Sequence, residues 1–144
     1  MDGVNKKINN MMRKLIIAFA FIGLVFFSGC KESKAQDTPV VQVIPVAQFE
    51  SDIKDTNTQL IDVRTVVEYE SGHIKGAKNI VYNSEAWNSS IEKLDKSKPV
   101  YVYCKKGGRS AKCASLLEEA GFTTVYDLNG GIMEWQGEGK PIEN

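Results

Sequence analysis

The chain has 144 residues, 42% hydrophobic and 25% charged, with 18 basic and 18 acidic side chains and a formal charge of zero. Such a composition fits one ordinary globular domain. It excludes a collagenous or low-complexity chain, and three cysteines exclude a disulfide framework.

Residues 1–14 are polar and basic, ending in Met11-Met12-Arg13-Lys14, and either of these methionines gives a more typical start than Met1. Leu15 to Phe27 is a continuous apolar run, too short for a comfortable membrane span and laid out as a secretory signal. Ser28-Gly29-Cys30 puts small residues before a cysteine and resembles the lipobox of bacterial lipoproteins. That resemblance implies cleavage before Cys30, lipid on its sulfur, and an exported, membrane-anchored protein facing the periplasm or cell exterior; the alternative is an ordinary signal peptide or an uncleaved anchor. Residues 1–29 then form a lipoprotein-type signal peptide, residues 30–39 a flexible tether, and residues 40–144 the folded domain. Without residues 1–29, which hold four basic residues and one acidic, the chain keeps 14 basic and 17 acidic residues, a formal charge of −3. Nothing there suits nucleic acid.

Within the domain the pattern alternates. Val41 to Ile44 predicts a strand, and Pro45 opens a helix with Val46, Phe49 and Ile53 on one face. Gln59 to Val63 predicts a second strand, followed by a short helix over Thr65 to Ser71 that Gly72 stops. Lys78 to Val81 predicts a third strand. Ser84 is expected to cap a helix running through Leu94, with Trp87, Ile91 and Leu94 spaced for the core. Pro99 to Tyr103 is apolar, β-branched or aromatic, a buried fourth strand. A helix is expected over Ser110 to Ala120, ended by Gly121, with Cys113, Leu116 and Ala120 or Ala111, Ala114 and Leu117 at helical spacing. Thr123 to Asp127 reads as a fifth strand, Gly131 to Gln136 as a last short helix, and Gly137 to Asn144 as a polar tail. Strands alternating with helices imply an α/β fold with a five-stranded parallel sheet between helices.

In such sheets ligands bind beyond the carboxyl ends of the strands. Cys104-Lys105-Lys106-Gly107-Gly108-Arg109-Ser110 stands there, between the fourth strand and the next helix. Gly107 and Gly108 let backbone N–H groups turn inward, and the helix start adds its positive end, so the loop is an anion cradle. Lys105, Lys106 and Arg109 add charge around it. A thiol so placed is largely thiolate at neutral pH and nucleophilic.

That loop resembles the Cys-x-x-Gly-x-Arg-Ser/Thr active-site loop of rhodanese-type sulfurtransferases. Leu60-Ile61-Asp62-Val63-Arg64, Glu68-Tyr69 and Gly72-His73-Ile74-Lys75-Gly76-Ala77 are similar to the family's first signature, and Asn129-Gly130-Gly131-Ile132-Met133-Glu134-Trp135 to its closing one. The resemblance spans roughly residues 40 to 140 and implies a rhodanese-like three-layer α/β/α sandwich. It implies that Cys104 takes a sulfane sulfur from a small anionic donor such as thiosulfate, becomes a persulfide, and hands the sulfur to a thiol or cyanide acceptor, without metal or cofactor. A monomer is expected.

Lys105 and Lys106 are either donor-attracting groups or a solvated surface pair. Gly107, Gly108, Arg109 and Ser110 complete the loop, with Arg109 bracing it as in related domains. Asp62, Arg64 and Glu68 are supporting candidates. Arg64 reads equally as an anion contact at the rim or a structural ion pair, and Asp62 as a residue that orients backbone or arginine groups. Thr65-Val66-Val67-Glu68 reads as a capping box, with Glu68 expected also to pair with Arg109. His73, the only histidine, and Trp135 read as structural, and Cys113 as a buried small apolar residue too far from Cys104 for a disulfide.

Two other functions compete. Phosphatases and arsenate reductases of the related fold place five residues between cysteine and arginine, whereas this loop has four, Lys105 to Gly108. A persulfide carrier or binding module with little turnover is the other; domains of this fold that only bind often lack the cysteine, which is kept here.

Overall fold

The structure, a computed structural model, describes residues 40–55 and 58–144. The expected signal segment, Cys30 and the expected tether through residue 39 lie outside the described residues. No helix among the described residues is long and apolar enough to cross a membrane.

Five strands form one parallel sheet: β1 (Val41–Ile44), β2 (Gln59–Asp62), β3 (Lys78–Asn79), β4 (Val100–Tyr103) and β5 (Val125–Leu128), in the spatial order β1-β5-β4-β2-β3. Every residue of β4 is buried. It is the central strand with both faces covered, which is why its sequence is β-branched and aromatic without polar alternation.

The helices are α1 (Val46–Asp52), α2 (Val66–Glu70), α3 (Trp87–Ile91), α4 (Gly108–Glu119) and α5 (Gly131–Gly137). They divide the core in two. On one face Trp87 and Ile91 of α3 and Cys113, Ala114 and Leu117 of α4 pack on Ile61, Val100, Val102 and Val125. On the other, Val46 and Phe49 of α1 and Ile132 and Trp135 of α5 pack on Leu60, Tyr101, Tyr103 and Leu128. Pleating makes this division, since alternate residues of each strand face opposite layers. The result is the expected α/β/α sandwich.

Several local expectations shift. β3 has two residues, although Ile80 N and Tyr82 N still donate to Asp62 O and Val63 O along the same edge. The Ser84 cap does not form. The Ser84 hydroxyl donates to Val81 O at 2.9 Å, closing a turn, and α3 starts only at Trp87. α4 begins at Gly108, two residues early, and buries Ser110, Cys113, Ala114 and Leu117, while Ala111 and Leu116 face solvent.

The polar tail is docked. His73 and Glu143 exchange backbone hydrogen bonds of 2.8 and 2.9 Å, and Trp135 Nε1 donates to Pro141 O at 2.9 Å. Lys140 Nζ meets Glu50 Oε2 at 2.7 Å. Polar composition concealed this because each partner lies far away in sequence or on another element.

Candidate active site

β4 delivers Cys104 to the carboxyl edge of the sheet, and α4 starts four residues later. Gly107, at φ 100°, caps α4 in the left-handed region, a conformation costly for any side chain but glycine's hydrogen. The turn aims Gly107 N at Cys104 Sγ, 3.1 Å away, and brings Ser110 Oγ to 3.5 Å from the same sulfur. Burial of Cys104, 1% exposed, works against ionisation. The Ser110 hydroxyl and the backbone N–H groups of Ser110, Lys106 and Gly107 outweigh it, and the thiol sits below its ordinary value. The cradle is therefore built from backbone donors and one hydroxyl. Lys105 and Lys106 are exposed.

The loop is fastened from two directions. Arg109 grips Glu68 through paired hydrogen bonds of 2.6 and 2.8 Å. Glu68 also completes the capping box of α2, accepting from Thr65 N at 3.1 Å while its own N–H donates to Thr65 Oγ1. The second fastening comes from α5. Ile132 N donates to Cys104 O at 2.9 Å and Met133 N to Lys105 O at 3.2 Å. A Cβ on Gly131, at φ 62°, would stand 2.5 Å from Cys104 O and 2.7 Å from Lys105 C. Closeness of two backbones thus explains Gly131 of the closing signature, while Gly130, at φ 71°, would set a Cβ 2.5 Å from the Glu134 side chain. Trp135 anchors the helix by burying its ring beside Phe49.

Asp62 and Arg64 end at the same edge but belong to the other layer. Arg64, 5% exposed, donates through Nε and Nη2 to the Asp62 carboxylate and through Nη2 to Gly72 O, with its guanidinium 5.8 Å from the Tyr103 ring centre. It is a structural ion pair and presents no free guanidinium to an anion. Tyr103 Oη accepts from Ile74 N at 3.0 Å, tying the strand to the same segment. His73 stacks on Tyr69 with centroids 3.8 Å apart, and its Nδ1 lies 3.2 Å from Tyr69 O. Its main chain pairs with Glu143 of the docked tail. Cys113 is fully buried on α4 and its thiol is pushed up to about 12, chiefly by burial. Cys104 and Cys113 are both free.

Sequence reasoning missed Asp127. It lies on β5, 3% exposed, on the Cys104 side of the sheet. Two-residue alternation from Val125, with α4 overhead, was the available signal.

The sequence profile of the Rhodanese-like domain family matches residues 45–138. Over 80 residues the chain is 42% identical to the uncharacterised Bacillus subtilis protein YqhL, covering 56% of this chain and 62% of that one. It is 37% identical over 82 residues to a Mycobacterium tuberculosis protein named as a probable adenylyltransferase/sulfurtransferase, MoeZ, covering 57% of this chain and 21% of that one. It is also 37% identical over 84 residues to a tRNA uridine(34) hydroxylase of Pelagibacter ubique, covering 58% and 28%. The chain thus spans less than two thirds of these relatives. A crystal structure of a rhodanese-related protein from Thermoplasma volcanium superposes with a TM-score of 0.63 at 29% identity, covering 71% of this chain and 97% of that one. With the cysteine loop, its two fastenings and the paired glycines in place, the chain belongs to the Rhodanese-like domain family.

Proposed function

We propose that the protein is a sulfurtransferase that works through a Cys104 persulfide. The observation that carries this reading is the sulfur of Cys104 held by Gly107 N–H and Ser110 Oγ–H in a loop of four residues between cysteine and arginine. The Cys104 thiolate attacks the outer sulfur of a donor such as thiosulfate. A Cys104 S–S bond forms, the donor's own S–S bond breaks, and sulfite leaves with the electron pair. An acceptor, cyanide or a thiolate, then attacks the outer sulfur and returns Cys104 as thiolate. The cradle donors stabilise the anionic sulfur at both stages, and Lys105 and Lys106 draw the donor anion inward. The short loop favours sulfur over a tetrahedral phosphate or arsenate. In this reading Ser28-Gly29-Cys30 supplies a lipid anchor, which puts the reaction on the outer side of a membrane.

Mass spectrometry of the purified chain after incubation with thiosulfate tests it. One added sulfur on the peptide carrying Cys104, removed by cyanide as thiocyanate, is expected. An unmodified Cys104 at saturating donor would overturn it.

A further inference from the structure

Two carboxyls among the described residues are almost wholly buried, Asp62 and Asp127. Arg64 neutralises Asp62. Asp127 joins no ion pair among the described residues, and its Oδ1 has no hydrogen-bond partner there. An unsatisfied buried carboxyl is costly, and its persistence calls for a physical reason.

Its place supplies one. Asp127 lies in register with Val102 of β4 and Val43 of β1, and shares the face of Val125 under α4 with Cys104, Cys113 and Ala114. The polar group bearing on its carboxyl is the Ser110 hydroxyl. Ser110 Oγ in turn lies 3.5 Å from Cys104 Sγ and 3.0 Å from Gly107 O. A hydroxyl has one proton to donate. Two acceptors share this one, the sulfur and a carbonyl, and the Asp127 carboxyl beneath α4 bears on it as a competitor.

We propose that Asp127 is a positioning residue for the nucleophile: when protonated it donates to Ser110 Oγ and leaves the Ser110 proton for the Cys104 thiolate, and when ionised it takes that proton for itself. This rests on the reading of Cys104 as the sulfur-carrying nucleophile. The protonated arrangement is reached without changing the net charge of the site. One proton passes from Cys104 Sγ to Ser110 Oγ, the original Ser110 proton passes to the Asp127 carboxylate, and Ser110 ends as it began. Burial pushes the Asp127 carboxyl up to about 6, so the exchange falls close to neutrality. The other titratable groups facing it are few. Cys113 on α4, pushed up to about 12, stays protonated, and Arg109 is committed to Glu68. β4 and β1 present only Val102 and Val43 at its register positions. Cys104, reached through the Ser110 hydroxyl, is the remaining group on this network.

Alkylation of Cys104 by iodoacetamide, followed against pH by mass spectrometry on the full chain, tests this. It needs no sulfur donor, so it stays readable if sulfur transfer fails. The wild-type rate is expected to show two inflections. Asp127→Asn, whose amide donates to Ser110 at every pH, is expected to show one, displaced to lower pH by about one unit, the coupling at which two sites titrate jointly. Superimposable profiles overturn the proposal. If the Asn variant does not fold, carbon NMR of the wild-type Asp127 carboxyl decides. Its midpoint should fall by about one unit once Cys104 is alkylated, and an unmoved midpoint overturns the proposal.

Discussion

Arg109 and Glu68 meet as a fork, Nη1 to Oε2 at 2.6 Å and Nη2 to Oε1 at 2.8 Å, across 41 residues of chain. Oε2 also accepts from Thr65 N and Thr65 Oγ1, both at 3.1 Å. One carboxylate therefore caps α2 and braces the cysteine loop. Loss of the cap alone costs about 1 kcal/mol. Breaking the ion pair costs more, roughly 2 kcal/mol, less than for a fully buried pair because both side chains are partly solvated. Glu68→Gln and Arg109→Lys should each slow persulfide formation beyond their effect on stability, since lysine lacks the planar fork. A double-mutant cycle on the rate should show coupling; simple additivity would reduce Glu68 to a helix cap.

The same carboxylate sets an acid limit. Arg109 lowers the Glu68 carboxyl most, burial opposes it, and the Thr65 hydrogen bonds add to the lowering, from 4.5 to about 2. A depressed folded value stabilises the fold above the unfolded value and is lost as pH falls through the folded one. The stability gap between wild type and Glu68→Gln should therefore be constant above pH 4.5 and close between 4.5 and about 2. Acid titration of denaturant midpoints checks this, and a gap that persists at the lower limit would contradict it.

Cys104→Ala should abolish conversion of thiosulfate and cyanide to thiocyanate while the chain stays folded. Cys113→Ser should keep most of the activity, because that thiol is buried and held protonated. Turnover by the Cys104 variant within a few-fold of wild type would remove Cys104 from the chemistry. Loss in a folded Cys113 variant would give that residue a mechanistic part.

Gly131→Ala should destabilise by roughly 3 kcal/mol, since a left-handed residue acquires a side chain where the Cys104 carbonyl already stands. Surviving protein should form persulfide more slowly, because the carbonyls of Cys104 and Lys105 lose their α5 donors. Thermal melts with single-turnover rates measure both effects. A melting temperature equal to wild type would show that the two backbones part without cost.

Metabolic labelling with a fatty acid should mark the wild-type chain and spare Cys30→Ser. The expectation rests on Ser28-Gly29-Cys30 after the basic segment and apolar run. Equal labelling of the two, or a mature wild-type chain free of membranes, would refute lipidation.

The parts of the site legible in the sequence are those whose chemistry is written in consecutive residues. Cys104 to Ser110 holds thiol, turn and helix start in seven positions, and Thr65 to Glu68 spells its own capping box. The Glu68–Arg109 pair was legible because both flanking strands end at one sheet edge. What escaped depends on orientation or on distant partners. Ser84 looks like a cap until its hydroxyl turns back to Val81. Arg64 stands at the right edge, but the pleat carries Asp62 into the opposite layer and the guanidinium goes with it. Asp127 reads as a strand end, and only α4 overhead makes it a buried charge.

The docked tail moves the end of the folding unit past the end of the family signature. The profile stops at residue 138, yet Pro141 supplies the acceptor for Trp135 Nε1, Ile142 lies where a Cβ on Gly72 would go, and Glu143 pairs with His73 and Gly76. Cutting the chain at the signature's edge would strip a partner from the tryptophan that anchors α5, and α5 is the helix that holds the carbonyl of Cys104. A sequence fused directly after Asn144 would pull on that same connection.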